Sequence, residues 1–170
     1  FEVIFNKTLD RETRIQILTR QFDECRFPKL KGDEVTFIGS TFMRYGENAP
    51  YKNTCIALGK CDNVVGKENE PIICCKNEKE VLLEWTRLIQ REDPDIIIGY
   101  NIFGFDYRFM FERAKENFCE EEFLKLSRNN DEICGTPNRE GKYTKIEETS
   151  LVIASGQHDL YYIKMNGRLQ

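Results

Sequence analysis

Hydrophobic positions are spaced most regularly after Asn77, where Val81, Leu82, Trp85, Leu88 and Ile89 fall on one face of a helix. Asn77 and Glu80 fit a capping box at its start, with Asn in place of the usual Ser or Thr. The pattern stops before Asp93-Pro94-Asp95, and Ile96-Ile97-Ile98 then forms a continuous apolar run. Such a run predicts a parallel strand covered on both faces. A second helix is expected from Asp106 to about Glu116, with Phe109, Met110 and Arg113-Ala114 in its middle. Upstream, Val35 to Phe42 is rich in β-branched and aromatic residues and reads as a strand. A turn at Tyr45 to Pro50 and a returning strand at Thr54 to Leu58 complete a hairpin, and Ile72 to Cys75 adds a short strand. Phe1 to Phe5 also reads as a strand.

Leu9, Ile15, Leu18 and Phe22 follow a rough helical period over Thr8 to Glu24, with Thr8 placed to cap and Phe27-Pro28 to end the element. The segments 60–69 and 117–148 are polar or charged and weakly patterned. Leu151-Val152-Ile153 and Leu160 to Met165 predict a final hairpin, closed by a turn at Asn166-Gly167. Antiparallel strands followed by a strand–helix–strand crossover point to an α/β sheet of mixed direction flanked by helices. No internal repeat or low-complexity segment interrupts it.

Composition narrows the function classes. The 170 residues are 40% hydrophobic and 32% charged, enough for one domain with a real core. A net charge of −4 argues against a broad basic surface, so any nucleic acid would be held by local cations, stacking or bridging metal ions. No apolar run approaches the ~20 residues that cross a bilayer. Neither secretion nor a membrane partner is expected, and the chain, which opens without Met, reads as part of a longer one. The seven cysteines contain no CxxC pair, and the only histidine is His158, in a turn-like stretch that suggests a surface loop. Reduced thiols in an intracellular protein fit better than a zinc site.

The chemistry concentrates after the isoleucine run. Ligands of open α/β sheets bind beyond the carboxyl ends of strands, which is where Gly99-Tyr100-Asn101 lies. Gly104 allows a sharp turn, and Asp106 opens the next helix. Taken singly, Asp106 is a helix cap, Asn101 a turn residue and Phe105 core. Together, at the spacing Asn-x-x-x-Phe-Asp behind an apolar strand, they suggest a site.

YNIFGFD resembles the second exonuclease motif of the family B DNA polymerases, in their 3′→5′ proofreading domain. The flanking DPDIIIGYNI and the following Arg113-Ala114 are similar to the delta-type enzymes and their relatives in large DNA viruses. So are Phe27-Pro28, VTFIGSTF, NEKEVLLEWTRLI and the closing Gly167-Arg168-Leu169-Gln170. The resemblance implies an RNase H-like (DnaQ-like) exonuclease fold: a partial first strand and helical insertion at 1–26, the exonuclease core at 27–148 and an appended β-hairpin at 149–170. It implies that Asp106 is a catalytic residue and metal ligand, that Asn101 contacts the 3′-terminal nucleotides and that Phe105 supports the corner. Two Mg²⁺ or Mn²⁺ ions would serve the complete site.

The implied partners are primer-template DNA, its single-stranded 3′ end, deoxynucleotides for the whole polymerase and a sliding clamp. The implied setting is a nucleus or viral replication compartment. The same motifs on a stand-alone exonuclease, or on a non-catalytic DNA-binding module, are the alternatives.

The family's first motif, Asp-x-Glu, is not intact here: Glu2 would be its last residue, or the motif lies further upstream. Its third motif is absent. In the RNase H-like sheet the first strand lies between the hairpin and the strand leading to Asp106, and Phe1 to Phe5 is the segment available to fill that place. The 170-residue piece alone is expected to be inactive. Arg108 and Arg113 either reach phosphate or form a solvated face. Lys142, Lys145, Lys164 and Arg168 either touch template DNA or are ordinary surface, and Trp85 is read as core.

Overall fold

Three short strands make the central sheet: β1 (Phe37–Phe42), β2 (Lys52–Leu58) and β3 (Ile73–Cys75), in that order. β1 and β2 are the expected hairpin, antiparallel with Phe37 opposite Ala57, and β3 runs parallel to β2 with Ile73 opposite Ile56. This computed structural model describes residues 2–24, 31–62, 72–137 and 143–170, in two units, Phe1–Gly32 and Asp33–Gln170. Phe27-Pro28, Lys142 and most of the polar stretch after Lys60 lie outside the described residues.

The first unit is helical. α1 spans Glu2–Phe5 and α2 spans Arg11–Glu24. The strand expected at Phe1 to Phe5 is therefore not formed. A strand satisfies its backbone N–H and C=O groups only through a neighbour, and the described part of this unit offers none, whereas a helical turn closes them locally. Asp10, not Thr8, caps α2: its carboxylate accepts from the Thr13 amide and hydroxyl, both at 2.8 Å. No side chain of α2 is buried within the structure.

The second unit holds the core. α3 (Glu78–Glu92) begins as its sequence predicts, with the Glu80 amide donating to the Asn77 side chain at 2.9 Å. Glu80 reaches back to the Lys76 amide at 2.8 Å, one residue before the usual capping-box partner. Val81, Leu82, Trp85, Leu88 and Ile89 are all buried, packed in one cluster with Ile56 of β2. Each such side chain contributes about 1.5–3 kcal/mol relative to exposure. α4 (Asp106–Glu116) adds Tyr107, Met110, Phe111 and Ala114 to the same cluster.

The stretch from 117 onward, weakly patterned in sequence, supplies core as well. α5 (Glu120–Phe123) stacks Phe123 on Trp85 with ring centroids 5.9 Å apart, and the Thr86 hydroxyl donates to the Phe123 carbonyl at 3.0 Å. Cys119, Leu124, Leu126 and Cys134 are buried beside it. Two antiparallel pairs follow: β4 (Thr136–Pro137) with β5 (Tyr143–Lys145), and β6 (Glu147–Ile153) with β7 (Gly156–Tyr162). The predicted terminal hairpin is thus present and begins four residues earlier than its apolar run, because β6 opens with the exposed Glu147 and Glu148.

A buried ion pair ties these parts together. Arg113 is sequestered rather than on a solvated face, and its guanidinium donates to both carboxylate oxygens of Glu78, Nε at 2.7 Å. Glu78 also accepts from the Val35 amide at 2.8 Å and the Asn117 carboxamide at 2.7 Å. Burial pushes the Glu78 carboxyl up, but the Arg113, Val35 and Asn117 hydrogen bonds outweigh it and hold the group below its usual 4.5. Removing one partner of a buried pair strands the other charge. Arg113→Ala is expected to cost about 3–5 kcal/mol in urea unfolding at neutral pH. Because the folded Glu78 pKa is lowered, its contribution is present above 4.5 and lost as pH falls below it. Glu78→Gln should flatten that part of the acid limb of the stability curve.

Candidate nuclease corner

The approach to the corner is fixed by a clasp. α3 ends at Asp93, in the left-handed conformation at φ 47°, with its amide donating to the Ile89 carbonyl at 3.0 Å. The Asp93 carboxylate accepts from Arg168 Nη1 at 2.7 Å and Arg128 Nε at 2.9 Å. Arg168 further donates to the Pro94 and Leu126 carbonyls, and Arg128 pairs with Asp95 at 2.7 Å. These hydrogen bonds, Arg128 foremost, hold the Asp93 carboxyl below its usual range. Arg168, expected as a surface cation of the tail, is buried and structural.

The isoleucine run departs from expectation. Ile96 forms a single parallel bridge to Leu169, with the Leu169 amide donating to Asp95 at 2.8 Å and the Ile97 amide to Leu169 at 2.9 Å. Ile98 is 87% exposed, so the segment is not a strand covered on both faces. A continuous apolar run becomes such a strand only with neighbours on both edges. Here one edge carries a single residue, and the other borders a groove of about 630 Å³. β1 lines that groove, as do Ile96 to Tyr100, Asp106 and Tyr107.

Beyond the run the backbone turns back on itself. Asn101 takes φ 54°, and its carbonyl accepts from the amides of Gly104 and Phe105 at 3.0 and 3.2 Å. The left-handed residue is Asn101, one of the few non-glycine types that tolerate it. Gly104 serves a different need from the sharp turn read in the sequence: any Cβ there would collide with the Asn101 carboxamide. The turn releases into α4 through the Tyr107 amide, which donates to Ile102 at 3.1 Å.

All three sequence-predicted residues therefore share one corner. Asn101 is exposed. Phe105 is the N-cap residue, makes no side-chain cap bond, and is 58% exposed with its ring stacked on Phe109 at 5.4 Å, so it is not core. Asp106 is the first residue of α4, not its cap, and lines the groove half-buried. A carboxylate in a first helical turn is favoured by about 0.3–1 kcal/mol through the helix dipole. Tyr107, which carries no motif signal in the sequence, is 2% exposed, and its hydroxyl has no hydrogen-bond partner among the described residues. Burial, reinforced by the neighbouring Asp106 charge, raises its pKa. His158 is exposed in β7, its Nε2 3.0 Å from the Ser155 hydroxyl.

Comparison with known proteins shows the family of the chain as a whole. Residues 5–169 match the family described as DNA polymerase family B, exonuclease domain. The chain belongs to the family B DNA polymerases. It is 38% identical over 174 aligned residues to the DNA polymerase of Phaeocystis pouchetii virus, covering 99% of this chain and 17% of that protein. It is also 38% identical to the DNA polymerase of Pyramimonas orientalis virus, covering 92% of this chain and 12% of that protein. The DNA polymerase delta catalytic subunit of Arabidopsis thaliana is 40% identical over 60% of this chain. The chain thus spans less than a fifth of the length of the viral relatives it matches.

Family membership raises the matter of a divalent cation. Asp106 offers a hard oxygen donor of the kind Mg²⁺ selects. Among the described residues, however, no three His, Cys, Asp or Glu side chains converge as a metal site. One carboxylate falls short of the donor set that an octahedral ion requires. The described residues do not by themselves make a metal centre.

The collision at Gly104 gives a test of the corner's architecture. Gly104→Ala is expected to displace the exposed Asn101 side chain while costing the protein less than about 1 kcal/mol, because the atoms met are the end of a movable side chain. Gly39→Ala, where an added Cβ meets open space on β1, should be neutral or stabilising by up to about 1 kcal/mol. Parallel chemical denaturation of the two variants checks both expectations.

Proposed function

We propose that this chain is the 3′→5′ proofreading exonuclease region of a replicative DNA polymerase, hydrolysing the phosphodiester bond at a primer 3′ end. The observation that carries the reading is the corner itself, in a chain of the family B exonuclease domain. Asp106 lines an open groove at a helix N-terminus, and Asn101 stands exposed beside it in a turn that fixes its backbone. Asp106 supplies one carboxylate to divalent ions, Asn101 contacts the terminal nucleotides, and Phe105 offers an exposed ring on which a base can stack. Stacking and polar contacts accept any base, as proofreading requires.

Asp106 would hold Mg²⁺ or Mn²⁺ as one of several carboxylate ligands, and ions bound there would supply a hydroxide and offset charge on the phosphate oxygens. Further carboxylates, Glu2 or others, would have to join Asp106 to complete the donor set. The groove between β1 and Ile96 to Ile98 supports an RNase H-like arrangement, which sets its first, acid-bearing strand between those two segments. Polymerisation of deoxynucleotides, template binding and clamp engagement belong to the rest of the polymerase.

In the full-length protein, Asp106→Ala is expected to lower Mg²⁺-dependent degradation of single-stranded 3′ ends by at least about a thousandfold, with nucleotide incorporation kept within about twofold. The 170-residue chain alone is expected to show no such degradation. Exonuclease activity that survives Asp106→Ala would remove the assignment. A full-length wild-type protein that binds 3′ ends without cutting them would favour a non-catalytic DNA-binding module.

A further inference from the structure

The β6–β7 hairpin and the Asn101–Asp106 corner are joined at one place. The Tyr161 amide of β7 donates to the Phe103 carbonyl at 2.7 Å. The Phe103 ring lies 4.4 Å from that of Tyr162 and meets the Tyr107 ring edge-on at 5.8 Å. On α4, the Arg108 guanidinium sits 4.7 Å over the Tyr161 ring, whose hydroxyl donates to Glu148 of β6 at 3.2 Å. The hairpin's two strands and the turn that carries Asn101 are thus in one continuous set of contacts.

We propose that Phe103 is a positioning residue that ties the seating of the β6–β7 hairpin to the geometry of the Asn101–Asp106 corner. The inference rests on the exonuclease reading above. Phe103 occupies the middle of a turn whose backbone is closed by Asn101, and its own carbonyl is held by the hairpin. A shift of β7 therefore pulls on the peptide two residues from Asn101 and three from Asp106. The rest of the hairpin gives that pull leverage. Every residue of β6 is exposed, as are Gly156 to Asp159 of β7, so what meets the projecting strands is transmitted through their base. Arg108 and the two tyrosines serve the same latch, and none of them needs to touch the reacting phosphate.

The test uses the full-length protein, a single-stranded oligonucleotide and a Mg²⁺ titration under single-turnover conditions. Displacing a metal-binding carboxylate by about 1 Å costs on the order of 10- to 100-fold in rate. Phe103→Ala is expected to lower the maximal rate by about tenfold or more and to raise the Mg²⁺ concentration for half-maximal activity. Tyr162→Ala should do the same, and the double variant should be no worse than either single one, since both break one latch.

Tyr162→Phe, which keeps the ring, should retain wild-type behaviour, and nucleotide incorporation reports that the protein has folded. Should Phe103→Ala fail to fold, Tyr162→Ala and Arg108→Gln carry the comparison. Single variants within about twofold of wild type, or effects that multiply in the double variant, overturn the latch. If Asp106→Ala still abolishes activity in that case, only the latch falls. If Asp106→Ala has no effect, the exonuclease reading falls and the latch with it.

Discussion

One carboxylate, that of Glu78, holds three parts of the structure in register. It receives the Arg113 guanidinium from α4, the Val35 amide from the chain entering β1, and the Asn117 side chain from the end of α4. Helix α3, which supplies Glu78, places Val81, Leu82 and Leu88 in one core cluster with Ile56 of β2. This node adds directional bonds between the sheet and the helix that begins with Asp106 to their apolar packing, which is non-directional. A buried ion pair adds little net stability over a hydrophobic substitute, but it fixes geometry. Here it fixes how α4, with Asp106 in its first turn, leaves the corner.

The second constraint acts from the other end. Asp93, Arg128 and Arg168 clamp the exit of α3 to the chain's last residues, and Leu169 bridges Ile96. The isoleucine run is consequently held at its start and free along its groove-facing edge. Asn101 then reverses the backbone at positive φ, and α4 departs under the control of the Arg113 node. Asp106 sits between two rigid anchors, with the hairpin latch at Phe103 as a third point of support.

Much of this was legible in the sequence because the signals were local. The Asn77 cap, the buried face of α3 and the limits of α4 follow from spacing within about four residues, where backbone geometry dominates, and the β1–β2 hairpin from two β-branched, aromatic runs around one turn. The YNIFGFD corner was legible as a motif, and its three residues do come together. What the sequence hid was long-range. Arg113 and Arg168 look like surface cations until their partners Glu78 and Asp93 are placed beside them. Phe1 to Phe5 and Ile96 to Ile98 both read as strands, yet a strand depends on a neighbour that composition does not reveal. The core role of Cys119, Phe123 and Cys134 was masked by the charges around them.

We propose Asp106 and Asn101 as two parts of one DNA-end site. The decisive measurement is a crystal structure of the full-length protein with Mn²⁺ and a short single-stranded oligonucleotide carrying a non-hydrolysable 3′-terminal linkage. The predicted result is anomalous manganese density against the Asp106 carboxylate, with the terminal nucleotide beside Asn101 and Phe105. Manganese absent from Asp106 while the 3′ end is bound at another surface would contradict it.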